Sequence, residues 1–441
     1  MAKRLAFVAV LLAAPMFLLA IERLETPGAE ARVVTWRPAT GPVDVAPIPD
    51  AVDPSQVQGL TVHEWGTFTS VAGPDGKAIE WLPAGGPTDL PCFVNLSGAG
   101  PKGLVAAAQG GRSNRATIRM ETPVLYFYSP REQQVNVKVT FPRGLITEWF
   151  PNAAMGTSAP VQSTGIWKAL ESFPNTTTTI QWNNVRVVPG ATQTYPIDER
   201  QSHYYAARRT GAMPLQVGNQ FEKFLFYRGI ASFTPPISAR VTEDGKIEVD
   251  NPGPVVGERK MKRWLIPNIV LFENRAGKIG YRIHKDLSRP PGVQLELPVL
   301  DDTLESLQQD LEAMLRDQGM YPLEARAMVD TWKDSWFEQG TRIFYIVPPG
   351  LVDRLLPLEI DPKPVSVARA FVGRVEIFTP ETLREVSQAV LKNDRATLET
   401  YGRFLEPILH NFLGDHSADG HINSIRADYL ASATACSKKA W

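Results

Sequence analysis

The chain has 441 residues, 43% hydrophobic and 21% charged, so a buried core is expected and the length suits two domains or one large domain with additions. Its formal net charge is −1, and without a surplus of cations to neutralise phosphates the composition argues against general nucleic-acid binding. The 37 prolines exceed average usage and fit many loops and edge strands.

Lys3 and Arg4 open the chain, Leu5 to Ile21 run apolar, and a small-residue site follows at Ala29-Glu30-Ala31. This is the layout of a secretory signal peptide. The stretch from Ile21 to Ala31 is long for a cleavage region, so residues 1–31 read as either a signal peptide or an uncleaved anchor. In both cases the two cations hold the N-terminus inside and send the remainder outside. The expected location is extracytoplasmic: periplasmic, secreted or anchored to the inner membrane. The membrane is a partner only through this segment, if it is retained. An oxidising compartment permits a bond between Cys92 and Cys436, and two unpaired cysteines are the other reading. No CxxC is present, which excludes a zinc ribbon or a thioredoxin-type site.

Residues 32–58 read as a Pro-rich linker. Residues 59–299 read mostly as strands. Val135, Val137, Val139 and Phe141 alternate with polar neighbours, the period of a half-buried strand. Val124 to Tyr128 and Phe224 to Tyr227 are continuous apolar and aromatic runs. Asp244-Gly245 between alternating runs predicts a hairpin, and Arg275-Ala276-Gly277 predicts another turn. The period changes near residue 300. Asp302 and Glu305 form a candidate capping box for a helix ending near Gly319. A second helix is predicted from Pro322 to Phe337, burying Met328, Trp332 and Trp336 and turning acids such as Asp330 and Asp334 to solvent. Strands follow at Arg342–Val347 and Phe371–Phe378, then helices from Pro380 and from Arg395 to Phe412. The expected fold class is α+β, mostly β: an antiparallel, sandwich-like body over 59–299, an α+β helical region over 300–412 and a tail over 413–441.

Four segments carry a resemblance. Val62-His63-Glu64-Trp65-Gly66-Thr67-Phe68-Thr69, Met120-Glu121-Thr122-Pro123-Val124, Asp334-Ser335-Trp336-Phe337-Glu338 and Phe371-Val372-Gly373-Arg374 together resemble a group of exported bacterial proteins of unknown function. The resemblance implies export over most of residues 60–410 and brings no activity or site residues. Asp415 to Asn423 resembles the first nine positions of an EF-hand loop, closest to a dockerin half-repeat. Asp415, Ser417 and Asp419 take the side-chain positions, Gly420 the turn and His421 the carbonyl. The twelfth position, where a carboxylate belongs, is Arg426. The loop is therefore degenerate, and weak calcium binding there is the one cofactor option against a plain polar turn.

His63 beside Glu64 is the most enzyme-like spot, since an imidazole and a carboxylate can act as acid and base. Successive strand residues point to opposite faces, however, so the two should diverge. HExxH is not completed, because Thr67 stands where the second His would be. Glu-Trp recurs at Glu64-Trp65, Glu80-Trp81 and Glu148-Trp149. Paired carboxylates such as Glu64 and Glu148 are the machinery of glycoside cleavage, whereas Trp65, Trp81 and Trp149 could stack on sugars without cutting them. Burial of Trp with Glu facing water is the competing account. No phosphate loop and no GxSxG elbow occur. The expected function is that of a non-catalytic extracytoplasmic binding or structural protein of the cell envelope, with an envelope component or carbohydrate as partner. The alternative is a secreted glycoside-type hydrolase.

Overall fold

Apolar runs interrupted by single charged residues build the central sheet. Its strands are β1 (Thr61–Val71), β2 (Asn95–Leu96), β3 (Ile118–Tyr128), β4 (Gly144–Phe150), β5 (Leu225–Ala231), β6 (Asn268–Arg275), β7 (Lys278–Lys285), β8 (Gly340–Val347) and β9 (Ser366–Ile377). Their spatial order is β7-β6-β8-β9-β1-β3-β5-β4-β2. The computed structural model describes residues 57–83, 90–96, 115–158, 173–198, 202–256, 259–260, 263–287, 292–413 and 424. The expected signal or anchor segment, the linker up to residue 56 and the calcium-like loop lie outside the described residues. Among those described, no helix is long and apolar enough to cross a membrane.

β1 and β3 are buried at every position, as strands covered on both faces must be. They pair antiparallel, but β1 pairs parallel with β9. This parallel pair departs from the antiparallel expectation and needs a long crossover, which here is the stretch from residue 72 to residue 365, about two thirds of the chain. A second, six-stranded sheet contains strands Gln133–Pro142 and Thr177–Val187. Val135, Val137, Val139 and Phe141 are buried along its first strand, as the alternation predicts. Its Trp182 meets Tyr227 of β5, ring centroids 6.3 Å apart. The Asp244-Gly245 hairpin joins Ser238–Val241 to Ile247–Asp250, and the Ala276-Gly277 turn joins β6 to β7.

The last third is mostly helical, with α1 (Leu304–Asp317), α2 (Pro322–Trp336), α3 (Pro349–Leu355), α4 (Pro380–Lys392) and α5 (Arg395–Thr400). It also supplies β8 and β9 to the middle of the central sheet, so one sheet runs across the expected boundary at 299/300. The N-cap of α1 is Thr303, not the expected Asp302; Thr303 accepts from Ser306 N, while Asp302 accepts from Tyr281 N. The helix expected from Arg395 to Phe412 is broken. Gly402 adopts φ +48°, Pro407 follows, and the chain passes through 3-10 and π turns. Trp65, Trp81, Trp182, Trp332 and Trp336 are fully buried. At about 25 cal/mol per Å2 and roughly 150–250 Å2 per ring, each such burial contributes several kcal/mol.

Candidate functional site

β1 sends His63 and Glu64 to opposite faces, as strand alternation requires. His63 Nδ1 lies 2.7 Å from Glu324 Oε2 on α2. Glu324 also accepts from the Tyr128 hydroxyl at 2.7 Å and from Tyr321 N–H at 2.8 Å, which closes the first turn of α2. The His63, Tyr128 and Tyr321 rings pack around this carboxylate. Burial first, then the Glu324 charge, push the Tyr128 phenol well above its usual range, so it remains a donor. On the other face Glu64, fully buried, receives Arg369 Nε of β9 and the Tyr227 hydroxyl, both at 2.6 Å. Arg369 reaches on to Asp353 at 2.9 Å.

Glu148 does not join Glu64. Tyr227, the donor to Glu64, pairs in register with Trp149, and the adjacent pair is Arg228 with Glu148. Alternation therefore turns Glu148 to the opposite face of the sheet from Glu64. A buried Thr147 hydroxyl donates to it. The two carboxylates of the hydrolase reading do not share a cleft. Of the three tryptophans expected to stack on sugars, Trp65 and Trp81 are core residues with no exposed ring, and only Trp149 is half-buried. Trp81 stacks on Phe404 at 5.7 Å instead, and its indole N–H donates to Thr117 O. Asp415, Ser417, Asp419 and His421 fall outside the described residues. Among those described, no group of three or more His, Cys, Asp or Glu side chains is arranged to hold a metal.

The four segments of the resemblance meet at the α2-facing side of the central sheet, near one end. Thr69 of β1 donates to Glu121 of β3 at 2.7 Å. Arg119 Nε binds the same carboxylate at 2.8 Å, and Arg403 reaches it from the broken C-terminal helix. Arg374 of β9 donates to Ser335 O and Glu338 Oε1, each at 2.8 Å, and to Glu376 at 3.1 Å. It lies 4.6 Å from the Phe404 ring centroid. Arg342 of β8 grips Glu376 with two N–H groups at 3.0 and 3.1 Å and donates to Trp336 O at 2.6 Å. Gly340, at φ +121°, leaves room for that pair, since a Cβ there would come within 2.9 Å of Glu376. Burial raises the Glu121 pKa, but Arg403, Arg119 and Arg374 outweigh it and hold the carboxyl at about 2. Burial likewise opposes the Arg374 charge, and Glu376, Glu338 and Glu121 overcome it and raise its pKa. This chain of guanidinium and carboxylate groups ties β1, β3, β8 and β9 to the end of α2 and to Arg403. The signal in the sequence was the charge inside apolar runs: Arg119 and Glu121 in β3, Arg374 and Glu376 in β9.

A groove of about 630 Å3 runs between the 3-10 helix His203–Arg208 and the outer face of α2. His203, Tyr205 and Arg209 line one wall and Asp330, Lys333 and Asp334 the other. Arg209 and Asp330 pair across it at 2.9 Å. Asp330 and Asp334 were legible as solvent-facing acids one turn apart. The opposite wall was not, because the sequence His203-Tyr204-Tyr205-Ala206-Ala207-Arg208-Arg209 carries no periodicity that marks a 3-10 turn. A scan against family models finds no match for this sequence, and a search of curated proteins finds none.

Proposed function

We propose that this protein is an exported, non-catalytic binding or structural protein of the cell envelope. One observation carries the reading: His63 and Glu64, the pair expected to perform chemistry, are each tied into buried contacts on opposite faces of the sheet. Glu64 accepts from Arg369 and Tyr227, and His63 lies against Glu324, which also accepts from Tyr128 and from Tyr321 N–H. Glu121 is held ionised far below neutral pH, where it is a poor proton donor or acceptor. A glycosidase needs two carboxyl groups facing one bond, and Glu64 and Glu148 face opposite ways. Export is supported by the Lys3-Arg4 and Leu5–Ile21 pattern and by Cys92, which is disulfide-bonded in a chain whose other cysteine is Cys436. Calcium at the Asp415–Asn423 loop stays a minor part of the proposal.

The test has two arms. Fractionated cells expressing the tagged full-length chain should hold it outside the cytoplasm, and the purified protein should co-sediment with envelope fragments without releasing reducing sugar. Full-length material in the cytosol overturns the location. Hydrolysis of a glycan that is abolished by Glu64→Gln or Glu148→Gln overturns the non-catalytic reading.

A further inference from the structure

The groove between the 3-10 helix and α2 has a chemistry of its own. Its charges balance: Arg209 and Lys333 on one side of the account, Asp330 and Asp334 on the other. A phosphorylated or carboxylated ligand would meet two carboxylates, and a cationic one would meet a guanidinium and an ammonium, so neither sign of ligand is drawn in by the field. A hydroxyl group, in contrast, both donates and accepts, and acceptors and donors stand side by side along these walls. Tyr205 and His203, both aromatic, also line it. The volume lies within the range of small-ligand sites, about 300–1,000 Å3.

The wall built by the 3-10 helix is also held in place before any ligand arrives. The His203 ring lies against buried Trp332, centroids 5.0 Å apart. The Tyr205 hydroxyl accepts from Asp198 N–H at 3.0 Å and donates to Asp198 Oδ1 at 3.3 Å; Asp198 in turn accepts from the N–H of disulfide-bonded Cys92 at 2.6 Å. Behind the groove Arg208 sits among the Phe93, Tyr195, Tyr204 and Tyr205 rings and binds Glu222 at 2.6 Å. A site whose side chains are fixed by their neighbours loses little entropy on binding.

We propose that this groove binds a neutral, polyhydroxylated ligand, a short oligosaccharide, with Asp330 and Asp334 accepting from its hydroxyls, Arg209 and Lys333 donating to them, and Tyr205 and His203 stacking on its rings. The proposal rests on the reading of the protein as a binding protein and moves the sugar contact from the buried Trp65 and Trp81 to this surface.

The experiment is calorimetric titration of the full-length protein with hexasaccharides of N-acetylglucosamine, glucose and mannose and with soluble cell-wall glycan strands. The variants are Arg209→Ala, Lys333→Ala and Asp334→Ala, all at exposed positions, with the exposed, distant Arg240→Ala as control. Each groove variant should weaken binding by about tenfold or more, the effect of one lost charge-assisted hydrogen bond, with an unchanged thermal midpoint, while the control binds as wild type. If a glycan binds and all three groove variants bind it equally well, the site is wrong and the binding-protein reading stands. If no glycan binds while envelope fragments still co-sediment, the ligand class is wrong. If neither occurs, the proposal and the reading beneath it both fall.

Discussion

Replacing Glu121 by Gln tests the buried charge chain directly. Its carboxyl falls from 4.5 in the ordinary state to about 2 in the folded protein. At ~1.36 kcal/mol per pKa unit this amounts to about 3 kcal/mol of stability. The folded state prefers the ionised form, so this contribution is complete above about pH 4.5 and is lost as pH falls towards about 2. The amide would keep the shape but leave Arg119 and Arg403 without their shared anion, a change that typically costs ~3–5 kcal/mol. Urea unfolding followed by near-ultraviolet circular dichroism should place the E121Q midpoint well below wild type at pH 7. The gap should narrow as pH falls from about 4.5 towards about 2, where wild type loses its advantage. A cost under about 1 kcal/mol at pH 7, or a gap that ignores pH over this range, would refute the assignment of Glu121 as the anion that binds Arg119 and Arg403.

Gly66→Ala should destabilise by about 1–3 kcal/mol, because its Cβ would come within 2.7 Å of the Phe371 ring and 3.1 Å of Pro123; a thermal midpoint equal to wild type would show that the strands can part there at no cost. Trp65→Phe should lower stability by about 1–3 kcal/mol through lost packing while leaving any oligosaccharide affinity unchanged; a fall in affinity at constant stability would return Trp65 to the binding surface. Thiol titration of the denatured, unreduced protein should find no free thiol, since Cys92 is disulfide-bonded and Cys436 is its one available partner in the sequence; two reactive thiols per chain would remove the bond.

Local features were legible before the structure. The Asp244-Gly245 hairpin, the alternation of Val135 to Phe141 and the Pro-initiated α2 and α4 each depend on neighbours within a few residues. What the sequence concealed is non-local. His63 and Glu64 diverge as strand alternation predicts, but nothing near Glu64 in the sequence points to its ionic partner, Arg369 on the parallel strand. Glu121 gave no sign of Arg403, 282 residues away. Of the Glu-Trp repeats, Trp65 and Trp81 fill the core and Glu80 faces solvent, but Glu64 is buried because β1 is covered on both sides, and Glu148 is more buried than its neighbour Trp149. A period of two reports which residues alternate, not how many faces are covered.

The position of β1 bears on how the chain acquires its shape. One edge of β1 can pair early, with β3, but the ionic and register partner of its other edge, on β9, arrives 305 residues later, so a nascent or threading polypeptide holds that edge of its central strand unpaired until most of the chain is present. Contacts of such separation form slowly, because a long loop must close before any of them gains. In a chain of this topology the central sheet cannot close on both sides of β1 until β9 has been made.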